Sequence, residues 1–258
     1  MCKVNRINFR VIDRDMLKYL AIIPMTIGHF CSYLAGETLY QDMPFLSFLL
    51  MHLAVFAPPI FFFFIAEGFR YTRSRKKYAL RLLLFAVVTQ IPFVLANEGT
   101  LLTWAFFSPL NIIFTLLIGL LALMVSDSKL KKWQKIVLII LLDAATLLLS
   151  SEWMIFGIPL MLVFHHLKEQ PKKRFFAFTG ILLAMQTTSG ILSFSGWGWS
   201  SAVFVLQTLS CLAAYFVIDK CYNGKKGRHP VFAKWFFYVF YPAHLFAIYI
   251  VKLLLGQF

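Results

Sequence analysis

Long apolar runs alternate with short basic segments along this sequence, and this alternation limits the possible folds more than any other feature. A run of about 20 apolar residues can cross the hydrocarbon core of a bilayer as an α-helix. The pattern predicts about nine such spans. Their bounds are near 17–36, 45–67, 79–97, 109–126, 134–150, 153–167, 175–193, 200–219 and 235–255. The predicted fold is all-α, a polytopic transmembrane helix bundle with roughly eight to ten spans that forms one domain over residues 1–258.

The basic residues lie on one side of the predicted spans. If the N-terminus is cytoplasmic, every lysine and arginine except Lys252 falls in a cytoplasmic segment, although the chain has 25 of them and a net charge of +14. The other loops carry acidic residues such as Glu98 and Glu152. This is the positive-inside distribution. It predicts a cytoplasmic N-terminus and a multi-pass protein of the cell membrane whose partner is the lipid bilayer, and it argues against nucleic acid as a partner.

The first predicted span carries an ionisable residue near its middle. His29 lies in the run 17–36, and Thr26 and Tyr33 fall on the same helical face. An ionisable side chain is costly inside a membrane and is therefore usually functional. We interpret His29 as the residue to which the other helices bring a substrate. The alternative is a neutral histidine that only bonds to a neighbouring helix.

Polar residues from several spans are predicted to lie near one depth. At about 1.5 Å per residue, His29 lies roughly 18 Å from the cytoplasmic end of its span. Five other spans contribute the remaining members of this polar layer, which are Gln90, Asp143, Gln186, Gln207 and His244. For Asp143 and His244 we favour a shared cavity, because a carboxylate near the midplane must pair or protonate. For Gln186 and Gln207 we favour pairwise hydrogen bonds between helices.

A basic run follows the second predicted span. Residues 65–81 read IAEGFRYTRSRKKYALR and place Glu67 at the membrane edge. The basic members of this run are Arg70, Arg73, Arg75, Lys76, Lys77 and Arg81. Arginine forks bind phosphate in two-point contacts, so the run predicts a site for a phosphorylated cytosolic ligand. The alternative is an anchor on anionic lipid. The four cysteines show no disulfide or zinc spacing, and no metal is expected.

Four stretches resemble the TraX-type family, whose namesake is the pilin N-terminal acetylase of conjugative plasmids. They are RDMLKYLAIIPMTIGHF at 14–30, FFIAEGFRYTRSRKKYALRLLLFAVVTQIPF at 63–93, LNIIFTLLIGLLAL at 110–123 and KWFFYVFYPAHL at 234–245. The second and fourth are the more specific, because they place polar residues inside apolar runs. The family is similar to the wider set of transmembrane acyltransferases, which use cytosolic acetyl-CoA to modify acceptors across the membrane.

The resemblance implies an enzyme with acetyl-CoA as acyl donor and His29 as general base or acyl carrier. It implies that Arg73, Arg75, Lys76, Lys77 and Arg81 hold the coenzyme A phosphates. Candidates to donate to the developing oxyanion are Gln90, Asn111 and Tyr241. Other positions that match the family are Glu67, Arg70 and His244. The acceptor is an unidentified amine or hydroxyl of a peptide or saccharide.

One position departs from the family. An acidic residue usually precedes the histidine, and this chain has Gly28 there. A carboxylate could orient the imidazole, so either Asp143 or Glu67 supplies it from another span or the activity of this member is altered. A different class of protein also fits the polar layer, namely a small-solute transporter or substrate-binding membrane subunit with a midplane site, although the chain shows no internal repeat.

Overall fold

The computed structural model describes residues 10–34, 44–192 and 201–258, and within these ranges the regular structure is helical apart from one bridge between Ile12 and Tyr222. The helices are α1 (Arg14–Tyr33), α2 (Pro44–Leu53), α3 (Ala57–Tyr71), α4 (Arg75–Glu98), α5 (Ile112–Ser126), α6 (Lys132–Leu148), α7 (Met154–His166), α8 (Pro171–Leu192), α9 (Ser201–Phe216) and α10 (Pro230–Leu254). The predicted all-α fold is confirmed.

Four helical segments of the described chain are long and apolar enough to cross a membrane. They are Phe45–Tyr71, Arg75–Glu98, Val203–Cys221 and Pro230–Leu254. Two further apolar helices, α5 and α7, are shorter. The 13 residues of α7 span only about 20 Å, less than the hydrocarbon core of about 30 Å. The chain is therefore a membrane protein, while the nine crossings and the cytoplasmic N-terminus stay predictions.

The helix boundaries follow from local chemistry. Asp13 accepts a hydrogen bond from the backbone N–H of Met16 at 2.9 Å and so caps α1. Asn111 accepts from the N–H of Ile113 at 3.0 Å and caps α5 in the same way. Both side chains bond an amide that has no partner within its helix. Helix α4 ends at Gly99, whose φ of 72° is a backbone conformation that glycine adopts readily.

The second predicted span is a broken helix. After α2 the chain forms a 3₁₀ turn at Ala54–Phe56, and α3 begins with Pro58 and Pro59 in its first turn. Proline lacks an N–H group and fits the first turn of a helix, where the N–H has no intrahelical partner in any case. The two prolines therefore mark a junction between two helices.

The core lies where α3, α5 and α7 pack together. Phe62, Leu120 and Met161 are fully buried there. A Cβ atom at Gly157 on α7 would lie 2.7 Å from Cγ2 of Thr115 on α5. Glycine thus lets these two helices approach closely, as small residues do in membrane bundles. Helix α1 packs against α3 and α10, and α10 also packs against α4.

The two glutamines of the polar layer that were predicted to pair do so. Gln186 Nε2 on α8 donates to Gln207 Oε1 on α9 at 3.0 Å. The amide nitrogen of Gln207 also lies 3.2 Å from Nδ1 of His52 on α2. These bonds join three helices, and the prediction of pairwise bridging between helices is confirmed.

Candidate functional site

Two adjoining cavities lie among α1, α3, α5 and α10. The larger has a volume of about 610 Å³, and the smaller, which His29 lines, has about 290 Å³. Both are lined by Met25, Phe61, Ile112 and Tyr241. The two cavities therefore adjoin at these shared side chains, and His29 lies in the lining of the smaller one.

Basic side chains surround the far end of the larger cavity, and we call them the basic rim. They are Arg14, Lys18, Arg81, Lys226 and Lys234. Lys18 Nζ lies 5.1 Å from the centre of the Phe237 ring, and Arg81 Nε donates to the hydroxyl of Tyr238 at 3.4 Å. No acidic side chain of the described residues lines this cavity. So many cations around one opening favour an anionic ligand, such as a group that carries phosphates.

Glu67 holds Arg14 in the basic rim. Arg14 Nη2 lies 2.9 Å from Glu67 Oε2, and the hydroxyl of Tyr222 donates to Glu67 Oε1 at 2.8 Å. The Glu67 residue is only 5 % exposed, and a carboxylate so buried needs such partners. Glu67 lies behind the cavity lining and positions Arg14.

The basic run at 65–81 does not form a single site in the fold. Arg81 lines the larger cavity. Arg70 instead donates to the carbonyl of Phe164 at 3.3 Å, and Arg75 pairs with Asp127 at 3.2 Å. The exposed members are Arg73, Arg75, Lys76 and Lys77. Most of the basic rim lies outside residues 65–81. In the sequence, the charges of these other residues were used only to predict the orientation of the protein in the membrane. Donor binding by the exposed members stays a prediction.

His29 on α1 and His244 on α10 form a hydrogen-bonded pair. His29 Nδ1 lies 2.7 Å from His244 Nε2, and the two rings are nearly parallel, with centroids 5.0 Å apart. His244 Nδ1 lies 3.0 Å from the carbonyl oxygen of Phe240. Because a carbonyl only accepts, the proton of His244 is on Nδ1.

This proton position fixes the state of His29. Both rings are taken as neutral, since an unpaired buried charge is costly. His244 Nε2 then accepts a hydrogen bond from His29 Nδ1–H. His29 Nε2 is left as an unprotonated nitrogen with a lone pair, which is the form required of a base or nucleophile.

Tyr241 lies where the two cavities meet. Its ring centroid is 6.0 Å from that of His29 and 5.3 Å from that of His244. The residue is 8 % exposed, and its hydroxyl has no hydrogen-bond partner in the part of the chain that the structure describes. A buried hydroxyl without a partner costs free energy, so this group is available to a ligand. Tyr241 and His244 share a face of α10 because they are three residues apart.

Gln90 and Asn111 bond to each other and lie outside both cavities. Asn111 Nδ2 donates to Gln90 Oε1 at 2.7 Å, and Gln90 Nε2 donates to the carbonyl of Pro109 at 2.9 Å. The pair joins α4 to the start of α5. Asp143 also lies outside the two cavities, on α6, which packs against α5 and α7. A common depth along the helices did not place these side chains on a common face.

Glu152 lines the smaller cavity together with His29 and Tyr241. From the sequence it was expected only as an acidic residue of an outer loop. Burial raises the pKa of its carboxyl group to about 7, although the backbone amide of Ile112 hydrogen-bonds to it and opposes this rise. The feature of the sequence that could have predicted this position is the short connection between α6 and α7, which keeps Glu152 close to the helix ends.

The packing of α1 explains Gly28. A Cβ atom at this position would lie 2.1 Å from Cβ of Ala54, so a side chain has no room. The acidic residue usual before the histidine therefore cannot be accommodated with α1 in this position. Glu152 brings a carboxylate to the smaller cavity, whereas the carboxylates predicted to replace the missing one, Asp143 and Glu67, lie outside it.

Comparisons with known proteins show the family of this chain. The family model described as TraX protein matches residues 13–252. A similar relative is the probable fimbrial assembly protein FimC, serogroup H1, of Dichelobacter nodosus, which is 31% identical over 251 residues that cover 93% of this chain and 95% of the relative. No solved structure matches this chain. The family match includes all residues of the histidine pair and both cavities, and the chain therefore belongs to the TraX family.

Proposed function

We propose that this protein is a membrane acyltransferase that moves an acetyl group from cytosolic acetyl-CoA to an amine or hydroxyl acceptor on the other side of the cell membrane. The observation that carries the proposal is the pair of adjoining cavities, one lined by the basic rim and the other by His29. The larger cavity suits an anionic donor, and the histidine of the smaller cavity has a nitrogen with a lone pair. The donor would bind at the rim and react at the histidine.

The larger cavity suits a long ligand with an anionic head and a flexible arm. Coenzyme A has phosphates at one end and its thiol at the other. The phosphates would accept charge-assisted hydrogen bonds from the basic rim, and the arm would pass Ile22 and Phe61 in the lining. Lys18 and His29 are eleven residues apart on α1, a distance of about 16 Å. An extended pantetheine arm is of comparable length.

His29 would act as general base in the smaller cavity. As the acceptor nitrogen or oxygen attacks the thioester carbonyl, its proton passes to His29 Nε2. The C–S bond then breaks, and the thiolate accepts this proton from His29. The products are the free thiol and the acylated acceptor. His244 keeps the tautomer of His29 and stabilises the imidazolium that forms. The Tyr241 hydroxyl would donate to the developing oxyanion. Transfer through an acyl-His29 intermediate would use the same lone pair.

The name of this relative supports an acceptor at the cell surface. The Dichelobacter nodosus protein is named as a fimbrial assembly protein. We therefore propose that this chain modifies a subunit or associated component of a pilus or fimbria. The acceptor group is an amine or a hydroxyl of a peptide or saccharide.

Binding of coenzyme A to purified protein in nanodiscs tests the donor site. Changing Lys18, Arg81 and Lys234 together to Gln should weaken binding by roughly tenfold for each cation that no longer meets a phosphate, since charge-assisted hydrogen bonds contribute about 1.5–3 kcal/mol. A control with three exposed lysines changed to Gln (Lys129, Lys172 and Lys173) should bind normally. A third variant neutralises Arg73, Lys76 and Lys77. If only this third variant binds coenzyme A more weakly, the donor site is the exposed run and not the basic rim.

Cleavage of acetyl-CoA by the same preparations tests the reaction. The wild-type protein should release free thiol in the presence of acceptor, and the release should require His29. If labelled acetyl-CoA instead crosses proteoliposome membranes with its thioester intact, the protein is a transporter and the proposal is wrong.

A further inference from the structure

We propose that Glu152 is a catalytic residue of the acceptor site, where its carboxylate binds the attacking group of the acceptor and takes a proton from it. This inference rests on the proposed acyl transfer and adds a residue outside the four stretches in which the sequence resembles the family. Glu152 would act on the acceptor from one side while His29 acts from the other.

The two cavities differ in charge in the way that two different substrates require. The larger cavity is lined by the cations of the basic rim, and the smaller is lined by no lysine or arginine of the described chain. Glu152 is the carboxylate of the smaller cavity, where Trp153 lies beside it. An anionic donor would be drawn to the first cavity and not to the second. A group that donates N–H or O–H hydrogen bonds suits the second.

The backbone around Glu152 is held firmly. Its N–H donates to the carbonyl of Leu110 at 3.2 Å, and the hydroxyl of the fully buried Thr115 donates to its carbonyl. Its neighbours Ser150 and Trp153 have φ values of 46° and 64°, which are unfavourable for residues other than glycine. Strain of this kind persists only where the surrounding structure enforces it, and it is concentrated at functional sites.

A purely structural role for Glu152 is the competing explanation. The backbone amide of Ile112 in the first turn of α5 hydrogen-bonds to its carboxyl group, and a negative charge near a helix N-terminus is favourable. This contact needs only an acceptor oxygen, which a glutamine also has. Glu152→Gln therefore keeps the structural contact and removes the proton acceptor.

An amine acceptor shows how the two residues would divide the work. The amine enters as an ammonium ion, and Glu152 takes one proton to give the neutral nucleophile. The nitrogen attacks the thioester carbon, its next proton passes to His29 Nε2, the C–N bond forms and the C–S bond breaks. His29 returns its proton to the thiolate, and Glu152 releases its proton to water. The products are the amide and free thiol, with both residues restored.

Transfer to glycinamide, measured by mass spectrometry of the product, tests this role. Glu152→Gln should lower kcat for acetylglycinamide about 10²–10⁴-fold, the usual effect of losing a proton acceptor, while coenzyme A affinity stays at the wild-type value. The variant should regain activity relative to wild type as the pH rises, because more glycinamide is then already neutral. The titratable groups near Glu152 are His29 and Tyr33 on α1 and Tyr241 on α10, and they are the same in both proteins.

Glu98→Gln is the matched control, since Glu98 is exposed and lies at the end of α4. It should transfer at the wild-type rate. Full activity of Glu152→Gln would overturn the inference and leave the proposed function standing. A wild-type protein that cleaves no thioester with any acceptor would instead overturn the proposed function.

Discussion

His29 Nδ1 and His244 Nε2 lie 2.7 Å apart, although the two residues are 215 positions apart in the chain. The carbonyl of Phe240 accepts from the other nitrogen of His244 at 3.0 Å. This short chain of bonds determines which nitrogen of His29 is free. In the proposed reaction, His29 would carry out the proton transfer and His244 would position His29.

Replacement of His29 should abolish acyl transfer without unfolding the protein. His29→Gln keeps an N–H donor for His244 Nε2, so its melting temperature should stay near that of wild type. Loss of the general base should lower the rate of thioester cleavage about 10²–10⁴-fold, and loss of an obligatory acyl carrier should leave almost none. Both quantities can be measured on the same detergent-solubilised sample. A fully active His29→Gln protein would move the catalytic group to His244 or Asp143.

His244→Ala should reduce kcat about 10–100-fold, by analogy with the loss of a partner that orients a metal-binding histidine. The KM for acetyl-CoA should not change, because His244 acts through His29 and does not touch the donor. His52→Ala is the control, since His52 contacts Gln207 and lies outside both cavities. If the KM rose and kcat did not fall, His244 would be a donor-binding residue.

Gly28→Ala should destabilise the protein by about 1–3 kcal/mol, the usual cost of overpacking. The added methyl group would meet Cβ of Ala54 at 2.1 Å and push α1 away from the turn at Ala54–Phe56. Gly180→Ala is the control, because nothing lies within 4 Å of its Cβ position. There, alanine should be neutral or stabilise helix α8 by up to about 1 kcal/mol. Equal melting temperatures for the two variants would show that α1 has room to shift.

Glu152 should make the stability of the protein depend on pH. Its pKa in the folded protein is about 7, above the ordinary value of 4.5, so the folded state holds this proton more tightly than the unfolded state. The free energy of unfolding therefore falls as the pH rises through this window. The glutamine of Glu152→Gln cannot ionise. The melting temperature of this variant should therefore rise relative to that of wild type as the pH increases from about 5 to about 8. Glu98→Gln should follow wild type, and parallel curves for all three proteins would contradict the prediction.

Labelling of single cysteines should test the orientation on which the proposed reaction depends. With the four native cysteines replaced by serine, a cysteine at Glu98 should react with an impermeant maleimide from outside intact cells. A cysteine at Lys172 should react only after the membrane is opened, because basic segments are predicted to be cytoplasmic. Labelling of the Lys172 position in intact cells would reverse the direction of transfer.

The helices and the membrane setting could be predicted from the sequence because their causes are local. In lipid, a backbone bonds within its own helix, so the length of an apolar run and its flanking charges carry most of the information. The pairing of Gln186 with Gln207 was also accessible, since buried amides in a bundle bond to one another. His29 stood out for the same local reason, as an ionisable group inside an apolar run.

The sequence by itself thus determined which segments are helical and which residues are costly enough to need a purpose. Only the tertiary structure decided which of them meet. Gln90 has the same predicted depth as His29, yet it faces the link between α4 and α5. Glu152 lines the histidine cavity because of the strained connection between α6 and α7. No hydrophobic periodicity in the sequence predicts this position. The sequence predicts how deep a residue lies along its helix. Which residues its side chain contacts depends on packing between helices that are far apart in the chain.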